Sequence, residues 1–140
     1  MYLIYQPEGQ DEPTRWKYNP RRLMAVERED LERRTSRNFS TFTTDVVQGN
    51  ALCRRALLFT YLRRDHPKVK FEDVDFTWDE VKLAYSQQEL HLMREDALET
   101  LHGDQLAAAL ASFDKAMETA YDEDEVGEGG EGKAQLPIAD

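Results

Sequence analysis

Residues 51–65, ALCRRALLFTYLRRD, constrain this chain more than any other segment. Leu57, Leu58, Phe59, Tyr61 and Leu62 fall around nearly the whole circumference of a helix, and the arginines are confined to its first and last turns. A helix that is apolar all round cannot lie on a surface, so it is expected at the centre with other elements wrapped about it. Its bounds are also written in the sequence. Gly49 suits the left-handed cap of a preceding helix, and Asn50 can cap this one. His66-Pro67 stops it, because the residue before a proline is pushed out of the α region and proline cannot continue the hydrogen-bond ladder.

The flanking segments supply the wrapping. Tyr2-Leu3-Ile4-Tyr5 and Arg15-Trp16-Lys17-Tyr18 bracket the turn-forming PEGQDEP and predict a β-hairpin over about 2–18. Asn19 with Pro20 marks a helix start, and Leu23, Met24, Glu27 and Leu31 recur at helical spacing, so a first helix is expected from Pro20 to about Arg34. Glu27 then falls on its apolar side and needs a partner such as a hairpin amide or an arginine. Phe39, Phe42, Val46 and Val47 make a short amphipathic helix ending at Gly49. After the proline stop, Val69, Phe71, Val74, Phe76 and Trp78 are apolar anchors between acids, with a turn or short helix around Phe71–Val74.

Thr77 with Glu80 and Ser86 with Glu89 have capping-box spacing, which predicts a helical segment after each. Leu90, Met93, Ala97, Leu98 and Leu101 form one stripe, and Leu106, Leu110, Phe113 and Met117 form another beyond Gly103. A helical hairpin, or one helix kinked at Gly103, follows. The expected fold is a mainly α, small multi-helix domain over 1–121 with a short N-terminal β-hairpin. A disordered acidic, glycine-rich tail is expected over 122–140.

Charge is placed unevenly. Residues 1–70 carry +5, residues 71–121 carry -9 and residues 122–140 carry -6, for a net charge of -10. The basic half does not read as a nucleic-acid surface, because its arginines alternate with acids, as in Arg28-Glu29-Asp30 and Glu32-Arg33-Arg34. The single cysteine, Cys53, cannot form an internal disulfide and reads as a small core residue in a reduced compartment. No apolar run approaches a membrane span or a signal-peptide core.

The sequence carries no strong catalytic signature. His66, His91 and His102 are too scattered for a spacing-defined metal site, and each reads as a surface or helix-end histidine. Asp73, Asp75, Asp79 and Glu80 lack the glycine and spacing of a calcium loop and read as a solvated acidic face. There is no phosphate-binding glycine loop and no nucleophile elbow. Neither an enzyme nor a cofactor is expected, and Glu27 reads as structural because no second acid, histidine or cysteine stands at useful spacing.

The order of several short segments resembles the tail assembly chaperones of long-tailed bacteriophages, particularly an actinobacteriophage-like branch. The matching pieces are Trp16-Lys17-Tyr18-Asn19-Pro20, Glu27, Leu31-Glu32 followed by Thr35, Gly49, Arg55-Ala56-Leu57, Leu62-Arg63-Arg64-Asp65-His66-Pro67 and Phe71-Glu72-Asp73-Val74-Asp75-Phe76. They span about Trp16 to Phe76, and Ser36 departs from the glycine that such proteins often place after the threonine. The motif positions Trp16, Pro20, Glu27, Glu32, Gly49, Ala56, Leu57, Arg64, Pro67, Phe71, Asp73 and Val74 are expected to be structural. The resemblance implies a non-catalytic factor of the host bacterial cytoplasm, absent from the mature virion, that binds the tape measure protein and keeps it soluble while the tail polymerises. Tail tube subunits, self-association and pairing with a form extended by programmed frameshifting are further implied partnerships; nucleic acid and membrane are not.

A compatible mechanism exists, since long helical clients need temporary cover for their apolar stripes and amphipathic helices provide it by groove packing. The expected partner-binding residues are Leu90, Met93, Leu98, Leu101, Leu106, Leu110 and Phe113. A structural head–tail connector and an acidic regulator or inhibitor of a basic partner remain as other classes.

Overall fold

In the computed structural model, residues 1–124 are described, and among them the chain is mainly α. The order is β1 (Tyr2–Tyr5), β2 (Thr14–Lys17), α1 (Ala25–Thr35), α2 (Phe39–Gln48), α3 (Ala51–Asp65), β3 (Val81–Ala84), α4 (Gln87–Thr100) and α5 (Gly103–Met117). Short 3-10 turns at Pro20–Arg22, Phe71–Asp73 and Trp78–Glu80 join them.

The all-apolar helix is the centre, as its pattern requires. Cys53, Ala56, Leu57 and Leu58 of α3 have no exposed surface, and Phe59, Tyr61 and Leu62 are buried too. α1 and α2 pack on α3 and on each other. Leu31, Phe42 and Val46 are fully buried in the same core, which Leu3, Tyr5, Trp16 and Tyr18 join from the sheet. Asn50 caps α3 by accepting from the Cys53 amide at 3.0 Å, and Gly49 ends α2 at φ +97°. The buried Arg54 donates to the Val46 and Val47 carbonyls in the last turn of α2, where carbonyls lack intrahelical partners.

The hairpin forms, with Leu3 opposite Trp16, but it is part of a three-stranded antiparallel sheet in the order β2-β1-β3. The third strand corrects the expectation of a helical segment after Thr77. The Thr77–Glu80 capping box does form, yet it nucleates one 3-10 turn only. Val81 and Leu83 flank the polar Lys82, and the free edge of β1 offers them a ladder, Tyr5 facing Val81 and Leu3 facing Leu83. Glu80 closes the corner by accepting from the Thr77 and Glu8 amides, which ties this turn to the hairpin loop.

The first helix also differs from its expected span. Asn19 accepts from the Arg21 amide and starts a 3-10 turn, but the chain then extends through Leu23 and Met24. Burying Leu23 in the core requires that excursion. The helix restarts at Ala25, with the Met24 amide donating to Glu27.

At the end of α1, Ser36 adopts the left-handed conformation at φ 52°. This is where the family resemblance would place a glycine, and a Cβ is disfavoured there. Ser36→Gly is therefore expected to stabilise the fold by about 1 kcal/mol, read as a raised urea midpoint with an unchanged slope.

The second half is a helical hairpin. Ser86 and Glu89 make the expected reciprocal cap, and Gly103 begins α5 at φ +60°. Residues 122–124, assigned from composition to the flexible tail, are instead held against the body. Glu123 accepts from the Tyr2 and Ser86 hydroxyls at 2.9 and 2.8 Å, and Gln88 bonds to Asp122, Glu123 and Asp124. Just before them, the Tyr121 ring stands edge-on to Tyr2 beneath the Arg15 guanidinium. The rest of the expected tail, 125–140, lies outside the described residues.

Candidate partner-binding surface

The motif residues of the first half hold the body together. Glu27 accepts two hydrogen bonds from Arg64, at 2.9 and 2.7 Å, and so clamps α1 to the end of α3. Its partner is an arginine, one of the two kinds the sequence called for. Glu32 accepts from the Phe39 amide at the start of α2. Trp16 stacks on Tyr61 at 5.7 Å, joining sheet to central helix. Phe71 stands edge-on to Phe59, and Arg55 binds the Phe71 and Val74 carbonyls. Asp73 caps its own 3-10 turn by accepting from the Lys70 amide, while Pro20 opens the first such turn and Pro67 follows the end of α3. Ala56, Leu57 and Val74 are core, and a Cβ on Gly49 would sit 2.6 Å from the Trp78 ring.

Among the described residues, no group of three His, Cys, Asp or Glu side chains could hold a metal ion. Burial pushes the Cys53 thiol up, opposite to what a nucleophile needs. The Tyr18 hydroxyl is likewise raised, by burial first and then by Tyr61 and Cys53. No helix in this part of the chain is long and apolar enough to cross a membrane.

The Glu27 clamp has a pH signature. The bond from Arg64 holds the carboxyl below the usual carboxylate range, partial burial opposes this, and the Met24 amide lowers it further. A carboxyl depressed by folding stabilises fully above its unfolded value, about 4.3, and loses that contribution as pH falls through the folded value. Glu27→Gln is expected to cost about 1 kcal/mol at pH 7, a bidentate pair being stronger than a median surface bridge. Its melting curve should converge on that of the parent chain as the pH is lowered through the acid range.

The hairpin of α4 and α5 is built differently from the body. Leu90 and Ala97 are its only buried apolar residues, and both stand outside the main core cluster. Met93, Leu101, Leu106, Leu110, Phe113 and Met117 are half-buried, and α5 has no buried residue at all. Leu98, expected within the stripe, is 47% exposed and lies on its flank.

Two sets of positions bound one side of this hairpin. Arg94 of α4 bonds to Asp114 of α5 at 3.1 Å, and Gln87 donates to the Met117 carbonyl. Gln87, His91, Arg94 and Leu98 succeed one another at helical spacing on α4, as do Leu110, Asp114 and Met117 on α5. A shallow groove lined by Gln87, Gln88, His91, Leu92 and Met117 opens at the base, where Leu92 is 65% exposed.

Sequence reasoning missed a second exposed feature. Trp78, read as an apolar anchor, is 68% exposed and lies over Gly49 and the Arg54 guanidinium. Met24 and Val26 are also exposed, because the helix restarts at Ala25 and turns them away from the core. Aromatic content between acids does not by itself tell an anchor from an exposed ring. No protein-family model, characterised protein or solved structure matches this chain.

Proposed function

We propose that this chain is a non-catalytic tail assembly chaperone of a long-tailed bacteriophage, which binds the tape measure protein and keeps it soluble during tail polymerisation. The observation that carries the reading is the loosely covered hairpin. Its leucines, phenylalanine and methionines line up as a core would, yet α5 buries none of them fully. An apolar surface of that form suits a helical client that needs cover for a while and must then be released. The choice of family rests on the resemblance of the ordered motif segments from Trp16 to Phe76, residues that here hold the body together. The proposed place of action is the host bacterial cytoplasm, with no share in the finished virion.

Co-expression with the tape measure protein of the same phage tests this. The expected result is a several-fold rise in soluble tape measure protein, with co-purification that survives high salt because the contact is apolar. Leu106→Gln with Leu110→Gln should abolish the rescue. If the tape measure protein stays insoluble when the chain and its frameshifted form are both supplied, the chaperone reading is wrong. A stoichiometric presence in purified virions would instead support a connector.

A further inference from the structure

The hairpin is rimmed by one sign of charge. Glu95, Asp96, Glu99, Asp104, Asp114 and Glu118 are exposed on α4, α5 and their end, against Lys115 and a half-buried Arg94 already bonded to Asp114. By helical spacing, the side marked by that bond carries Leu98 on α4 with Leu110 and Met117 on α5, and it shares Gln87, His91 and Met117 with the shallow groove. Two antiparallel helices with half-covered apolar rows leave room for a third at the usual interaxial distance of about 8–10 Å. The carboxylates on both flanks select its charge, since like charges set opposite one another are repelled.

We infer that the Arg94–Asp114 side of the hairpin seats one amphipathic helix whose apolar stripe is flanked on both sides by lysine or arginine. Resting on the proposed function, this specifies which client segments the chaperone takes: basic amphipathic ones rather than any apolar helix. The client helix lays its stripe along Leu98, Leu110 and Met117, and its cations meet Glu95, Glu99 and Glu118. Apolar contact holds the complex, while the rim sets the preference among stripes.

Three synthetic peptides test the inference on the full chain, with binding read by fluorescence anisotropy at low and high salt. One carries leucines at i, i+3, i+4 and i+7 with lysine flanks. The second keeps that stripe with glutamate flanks, and the third is a scramble of the first. The lysine-flanked helix is expected to bind at least tenfold more tightly than either of the others, with a residue of affinity left at high salt.

Leu98→Gln, at an exposed position, should weaken it several-fold with the melting temperature unchanged, whereas Trp78→Ser should not. Equal binding of the lysine and glutamate versions overturns the charge preference. Equal binding of the scramble, or indifference to Leu98→Gln, overturns the seat itself. Failure of all three peptides overturns the inference even where tape measure rescue succeeds. Selective binding without tape measure rescue would retain the seat and remove the chaperone reading.

Discussion

Replacing Leu58 with alanine is expected to destabilise the domain by about 2–5 kcal/mol. Leu58 has no exposed surface and stands in the helix that α1 and α2 pack against within the main core cluster. The loss has two parts, the transfer free energy of the deleted carbons and the cavity left among neighbours that relax only partly. Its neighbours are fixed by bonds of their own. α3 is tied to α1 by Glu27–Arg64 and to α2 by Arg54, so collapse around the cavity is resisted and the upper part of the range is expected. A domain of this size has about 5–15 kcal/mol in all. Urea unfolding followed by far-ultraviolet dichroism should show a midpoint lowered by a large fraction of the parent value. A midpoint that barely moves would mean that Leu58 contributes nothing to the core.

Much of the body was legible in the sequence because its signals agree with one another. The residues of 51–65 are apolar around the circumference, and the segment has a cap before it and a proline after it. Three independent requirements therefore select the same boundaries. The short helix ending at Gly49 is fixed in the same way, by a period and a terminator. Glu27 shows how far a single misfit residue can be read. A carboxylate on an apolar face must find a donor, and an arginine was one of the two kinds foreseeable, whereas its position 37 residues later in the chain was not.

The misreadings arise where a local signal competes with a distant partner. The Thr77–Glu80 box favours a helix start, and its hydrogen bonds form, but the open edge of β1 takes Val81–Ala84 as a strand. Leu23 breaks the expected first helix because the core lies off that helix axis. The charge pattern of 122–124 suggested a solvated chain, yet Glu123 meets two hydroxyls contributed by Tyr2 and Ser86, residues 121 and 37 positions away. At the candidate site, periodicity identified the two stripes but could not divide core from surface. Leu98 and Leu90 are both apolar residues of α4, yet Leu98 is 47% exposed and Leu90 is buried.

Trp16 separates packing from hydrogen bonding at the junction of sheet and central helix, and its two substitutions should differ sharply. The indole is 4% exposed and lies nearly parallel to the Tyr61 ring, at an interplanar angle of 11°. Removing it in Trp16→Ala empties a large volume between β2 and α3, and about 3–5 kcal/mol of stability should be lost. The buried indole N–H, however, has no hydrogen-bond partner among the described residues. An unpaired buried donor carries a desolvation penalty of about 1–3 kcal/mol, which phenylalanine does not incur. Trp16→Phe keeps an aromatic face against Tyr61, gives up part of the ring volume and removes that penalty. The two effects oppose each other, so a change within about 1 kcal/mol of the parent is expected. Paired urea titrations decide it: a wide gap between the alanine and phenylalanine variants is the expected outcome. Equal, large losses would mean that the indole nitrogen is bonded after all, and equal, small ones that β2 does not depend on this stack.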